Sequence, residues 1–340
     1  VGGRLQLKRN RRIAEGKFRE EETMRKNLMQ RIPMFLFFVL SLLPLQAQDV
    51  SSTTTSPVQM TVTVRVLGKN KRMPEVNRED IIVRQGKDRL QVTGWTPISG
   101  DRDPLDLFIL IDDAARTSVS SQFDDLREFV YSLPKTTSVG VGYMRNGTVR
   151  VALDLTTDHQ RAANALRIPF GSPGVYGSPY LSVIDLMKRW PESSNRREIV
   201  MITDGIDRLH GWPHRRGLAP ITPDVSAAST VAQRTGTIIH SIYTRGAGWR
   251  GSNYWQVTNG QNAMAQLADE TGGESLFLGI GEPVSFRSYL DRLQNSLENR
   301  YRLEFNAVPG KKPGLQYVKL TTEVAGIELN SADSVWVATR

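Results

Sequence analysis

Hydrophobic positions in MTVTVRVLG (60–68) alternate with the two-residue period of a strand, and DIIVRQG (80–86) and LQVTGWTPI (90–98) repeat that pattern. No helical spacing interrupts them, so the stretch reads as a small antiparallel unit. At Leu105 the style changes. LDLFILID (105–112) is a continuous apolar run ending in acid, as expected of a parallel strand covered on both faces. FDDLREFVYSL (123–133) has helical spacing, and the strands SVGVGYM (138–144) and TVRVALDL (148–155) flank Asn146-Gly147, a hairpin-turn pair. Helices are predicted over 158–168 and 179–190, then a second buried strand, REIVMITDG (197–205). A helix over 223–236 opens on Pro223 and closes on Gly236. TIIHSIYT (237–244) is a strand, NAMAQLADETGG (262–273) a helix, ESLFLG (274–279) a strand, and 282–300 a long amphipathic helix. After Arg300 the β pattern returns at 301–307, 315–323 and 334–340.

Strands alternating with helices imply an α/β domain over 103–300 with a doubly wound, mostly parallel sheet. It is inserted between two β segments, 59–100 and 301–340. Each flank is too short to bury a good core alone, so the two are expected to pair as a small antiparallel β-sandwich. QDVSSTTTSPV (48–58) reads as a polar linker.

The composition, 39% hydrophobic and 23% charged, is ordinary for a globular chain. Charge changes the picture only through its location. Residues 1–31 contribute +6 of the net +9, leaving +3 for the rest, which gives nucleic-acid binding no support. From Met24, a basic MRKNLMQR, a fourteen-residue apolar run (32–45) and Ala47 form a secretory signal peptide, 24–47. A membrane span needs about 20 apolar residues, so no transmembrane anchor is expected in the mature form. Residues 1–23 lack apolar periodicity and precede an n-region, so they read as an over-called start. There is no cysteine, hence no disulfide and no thiolate chemistry. The expected location is secreted, periplasmic or in the cell envelope.

In open α/β sheets ligands bind beyond the carboxyl ends of the strands. Two strands end there in acids, at Asp112 (with Asp113) and Asp204 (with Asp207), and Gly177-Ser178 opens the helix before the second. Carboxylates and a hydroxyl converging on one edge suit a hard cation, while solvated carboxylates capping helices would give the same spacing.

LFILID, Gly177-Ser178, MITDG and LADETGG, in that order and spacing, resemble a von Willebrand factor A (VWA) domain, whose sheet is of the Rossmann-like doubly wound type. With the flanking β segments, residues 59–340 resemble the acidobacterial-type VWFA-related proteins. The resemblance implies a metal-ion-dependent adhesion site, with Asp112, Ser178 and Asp204 on three of its ligand positions. It also implies a departure, since Ala114 and Arg116 occupy the two serine positions. The metal site is therefore degenerate, with weak Mg²⁺ or Mn²⁺ binding or none. Nearby Thr117, Ser118, Ser120 and Ser121 offer substitute hydroxyls, and Arg116 is a candidate metal surrogate, able to pair carboxylates without losing its charge.

Other chemistry is thin. His210 and His214 straddle Gly211 and Pro213, so they lie in a loop, and His240 falls inside an apolar strand. No nucleophile elbow or phosphate loop occurs. RLHGWPHRRG (208–217) and RGAGWRGSNYWQ (245–256) interleave Arg with aromatics beyond the ligand edge, making Trp212, Trp249, Tyr254 and Trp255 candidate partner contacts. The expected function is an exported, non-catalytic binding or adhesion module for a protein or envelope polymer. The alternatives are a structural envelope-assembly protein and, from another class, a metal-dependent hydrolase using Asp112 or Asp204.

Overall fold

A computed structural model describes residues 55–68, 73–98, 103–172, 177–209, 223–247, 254–277, 279, 281 and 283–339. The expected start segment, the signal peptide and most of the linker lie outside these residues, as do His210, Trp212, His214 and Trp249.

The first flank supplies β1 (Ser56–Val66), β2 (Ile81–Gln85) and β3 (Asp88–Pro97), so strand structure begins inside the segment read as linker. β4 (Leu105–Asp112) is buried along its whole length. Next come α1 (Phe123–Ser132), β5 (Thr137–Arg145), β6 (Thr148–Thr156), α2 (His159–Asn164) and α3 (Pro179–Lys188). They are followed by β7 (Arg196–Thr203), α4 (Pro223–Thr235), β8 (Ile238–Tyr243), α5 (Tyr254–Thr271), β9 (Ser275–Leu276) and α6 (Arg287–Glu298). The second flank holds β10 (Arg300–Ala307), β11 (Gly314–Tyr317), β12 (Lys319–Thr322), β13 (Ile327–Ser331) and β14 (Ser334–Val337).

Three differences from the sequence pattern have local causes. α2 stops at Asn164, four residues short, ahead of Pro169, which disfavours helical Ile168. α5 starts eight residues early, so Tyr254 and Trp255 sit on its first turn and not in a loop. The 315–323 run splits at Val318, whose N–H donates to the carbonyl of Asp333 (2.9 Å) as the chain passes from one sheet to another. β13 carries only the short alternation of Ile327 and Leu329 with Glu328 and Asn330, and was not anticipated.

The central sheet has the order β6-β5-β4-β7-β8-β9, all parallel except β6, which pairs antiparallel with β5 through the Asn146-Gly147 turn. Leu107, Ile109 and Ile111 of β4 face a core built with α1 and α6, while Phe108 and Leu110 face one built with α3, α4 and α5. This two-sided cover is why β4 reads as unbroken apolar sequence. The glycines of β5 make room for it: a Cβ on Gly140 would lie 2.5 Å from the Phe108 ring.

Both flanks contribute to one antiparallel sheet, β12-β2-β3-β10-β1-β13, with β1 between β10 and β13. The β11–β14 ribbon packs on it through Val335 and Val337, so the sandwich has one full layer and one two-stranded layer. A buried ion network ties this sheet to the α/β domain. Arg300, at the start of β10, pairs with Glu198 of β7, which also meets Arg196 (2.9 Å) and His240 Nε2 (3.0 Å). The backbone N–H of Glu274 donates to His240 Nδ1 (3.1 Å), so the ring proton is on Nε2 and is donated to Glu198. Burial alone would raise the carboxyl of Glu198, but the guanidinium groups of Arg300 and Arg196 hold it down at about 2. No described helix is long and apolar enough to cross a membrane.

Candidate functional site

The order of the sheet reverses between β4 and β7: β4 leads outward to β5, and the chain later returns to place β7 on its other side. The carboxyl ends of these two strands are the topological switch point, where doubly wound folds hold ligands. Asp112 ends β4, and Asp204 follows β7 directly.

Asp112 and its neighbour Asp113 point to different partners, as strand alternation requires. Asp113 is fully buried and accepts a fork from Arg167 (2.8 and 2.9 Å), whose guanidinium lies over the rings of Tyr143 (3.6 Å) and Phe170 (4.3 Å). It is a structural acid. Asp112 Oδ1 accepts from the N–H of Ala114 (2.8 Å), and Oδ2 accepts from the hydroxyl of Thr203 (2.7 Å). Burial, with the charge of Asp204 added, pushes its carboxyl up to about 6.

Asp204 Oδ1 accepts from the N–H of Ile206 (2.9 Å), and Oδ2 lies 2.5 Å from Nη2 of Arg208. Burial opposes the charge of Arg208, yet Asp204 and Asp112 together hold its guanidinium above its ordinary value. The N–H of Arg208 donates to the carbonyl of Gly177 (2.7 Å), fixing the loop that presents Ser178. Ser178 caps α3, accepting from the N–H of Leu181 (3.4 Å) and donating its hydroxyl proton to Asp224 of α4 (3.0 Å). The structure thus brings Asp112, Ser178 and Asp204 to one edge, where Arg208 pairs with Asp204 and holds the loop of Ser178 through Gly177. Asp112, Ala114, Asn146, Gly177, Ser178 and Arg208 line a small, shallow hollow there.

The backbone closes the edge from above. The N–H of Arg116 donates to the carbonyl of Arg245 (2.9 Å), and that of Ala247 to the carbonyl of Ala114 (2.7 Å). This short antiparallel ladder, bridging Ala115 and Gly246, joins the loops after β4 and β8 and so crosses the end of the intervening β7. A Cβ on Gly246 would stand 2.0 Å from Asp204 Oδ2 and 2.8 Å from Arg208 Nη2, so the main chain rests on the ion pair. From the side, α5 approaches so closely that a Cβ on Gly260 would lie 2.3 Å from the carbonyl oxygen of Asp204.

Arg116, the surrogate expected from sequence, is placed elsewhere. It precedes a 3₁₀ turn (Thr117–Gln122), engages the ladder through its backbone, and has no carboxylate partner among the described residues. The guanidinium on Asp204 comes from Arg208, four residues on in the same loop. Of the substitute hydroxyls, Ser120 and Ser121 donate to the carbonyls of Thr117 and Ser118 within the 3₁₀ turn (2.7 and 2.8 Å).

These donors do not fit a resident divalent cation. Mg²⁺ requires nearly octahedral oxygen ligation with room for water. Here Asp204 Oδ2 is taken by a guanidinium, the hydroxyl of Ser178 is turned to Asp224, and the Gly246 main chain fills the space above. Among the described residues no group of three or more His, Cys, Asp or Glu side chains is arranged to hold a metal.

No family model and no curated protein matches this chain. Among solved structures it is similar to a von Willebrand factor type A protein from Catenulispora acidiphila, with 10% identity over 85% of this chain and 75% of that one and a TM-score of 0.43. It is also similar to an aerotolerance-related membrane protein from Bacteroides fragilis (14% identity, 57% of this chain and 98% of that one, TM-score 0.39). A third is the pilus adhesin SpaC from Lactobacillus rhamnosus GG (10% identity, 81% of this chain and 48% of that one, TM-score 0.41).

Proposed function

We propose that this chain is an exported, non-catalytic binding module of the VWA type that engages a protein or cell-envelope polymer through the carboxyl edge of its central sheet. One observation carries the reading: exposed apolar side chains gather on the segments at that edge. Ile168, Phe170, Leu209, Tyr254, Trp255 and Val284 all lie there, and Tyr254 and Trp255 are 59% and 69% exposed and meet edge to face (5.9 Å). Large aromatic and apolar groups left in water, beside arginines such as Arg145 and Arg167, are typical anchors of an interface. The carboxylates beneath them accept from Ala114, Thr203, Ile206 and Arg208, an arrangement suited to holding a surface and not to activating water.

The test is capture from a cell-envelope extract by the wild-type protein and by a Tyr254→Ala, Trp255→Ala variant. The reading expects a discrete partner held by the first and lost by the second, with the melting temperature unchanged. Equal capture by both would refute it.

A further inference from the structure

We propose that Arg208 is a built-in cation: its guanidinium, paired with Asp204 on the edge it shares with Asp112, permanently takes the place that a divalent ion would need, so the edge is formed without metal. The inference rests on the geometry of the edge, and on the docking reading only for its consequence, that docking would be insensitive to chelators.

Three independent features converge on Arg208. Its Nη2 lies 2.5 Å from Asp204 Oδ2 and its Nη1 3.5 Å from Oδ1, with the side chain 11% exposed. Its own N–H donates to the carbonyl of Gly177, so one residue ties the Asp204 loop to the Ser178 loop. The Ala114–Arg116 and Arg245–Ala247 segments then close over the pair, with the Gly246 backbone at a separation that leaves no room for a hydrated ion. A guanidinium suits this position because it stays charged when buried and presents several N–H groups in a fixed fork. Breaking a buried pair leaves an uncompensated charge, so loss of Arg208 should create a demand for another cation where none exists now.

The experiment compares the full chain with Arg208→Ser and Arg208→Lys, reading melting temperature with EDTA and with added Mn²⁺, and free Mn²⁺ by its solution spin-resonance signal. Wild type should melt at the same temperature in both conditions and leave Mn²⁺ free. Arg208→Ser should melt roughly 10 °C lower, recover at least half of that loss with Mn²⁺, and remove Mn²⁺ from solution. Arg208→Lys should leave Mn²⁺ free and keep at least half of the melting-temperature difference between wild type and Arg208→Ser, because it keeps the charge though not the fork. If Arg208→Ser does not fold, the lysine variant carries the comparison, and one that also fails to fold overturns the proposal. Wild type that binds Mn²⁺ or is destabilised by EDTA overturns it, as does a folded Arg208→Ser whose loss Mn²⁺ does not restore. None of these readouts involves a partner, so failure here is distinct from failure of the docking reading.

Discussion

Replacing Glu198 with Gln removes one charge from the buried network that joins β10 to the central sheet while keeping nearly the same shape. The native carboxylate is held at about 2 against an ordinary value of 4.5. At about 1.4 kcal/mol per pH unit, that displacement is worth about 3 kcal/mol at neutral pH. The variant also strands Arg300, which is fully buried, and removing one member of a buried pair costs about 3–5 kcal/mol. The two routes agree, so Glu198→Gln is expected to lower the urea unfolding free energy by about 3 kcal/mol without changing the slope. The pH dependence adds a second test. The folded value lies below the unfolded one, so the native state binds fewer protons between them. The contribution is therefore present above about pH 4.5 and lost as pH falls toward about 2. Urea titrations of both proteins from neutral pH down to about pH 3 should show the gap narrowing. A variant within about 1 kcal/mol of wild type at neutral pH, or a gap that does not narrow, would refute the reasoning.

Three further outcomes are expected. Gly246→Ala forces a methyl group against Asp204 and Arg208, and a thermal melt should show about 2 kcal/mol of destabilisation. Gly147→Ala puts a side chain at φ 73° beside Asn146 at φ 52°, and should cost about 1 kcal/mol in the same assay, since this two-residue turn needs positive φ at both positions. Nitrogen NMR of His240 at neutral pH should find Nδ1 without a proton and Nε2 with one, because the Glu274 N–H already occupies Nδ1. The opposite tautomer would contradict the network.

The elements that sequence reading located best are those whose local chemistry decides them. β4 was bounded to the residue because eight apolar or acidic positions buried on both faces look like nothing else. The hairpin followed from Asn146-Gly147, and α4 from Pro223 and Gly236. What was missed depends on contacts distant in the chain. The early start of α5 was hidden by Gly260, which breaks helical propensity but is required where the helix meets the Asp204 backbone. His240 read only as a position inside an apolar strand and Glu198 drew no notice, and only the folded chain pairs them with Arg300. Arg116 stood at a serine position of the family pattern, but the Arg245 carbonyl claims its backbone, while Arg208 reaches Asp204 from within the same loop. The signal was present, since TDGIDR spaces an arginine four residues after the acid. Spacing in a loop says little about direction until the loop's anchors, here Gly177 and Gly246, are known.

The central claim is that the carboxyl edge is the docking face, and site-specific photo-crosslinking tests it most directly. A benzophenone amino acid placed at Trp255 samples that edge, and the same probe at Tyr317, exposed on β11 of the second flank, samples a surface away from it. Irradiation in envelope extract containing EDTA is expected to give a discrete adduct from position 255 and none from position 317. An adduct from 317 with none from 255, or an adduct at 255 that disappears with EDTA and returns with Mn²⁺, would contradict the account.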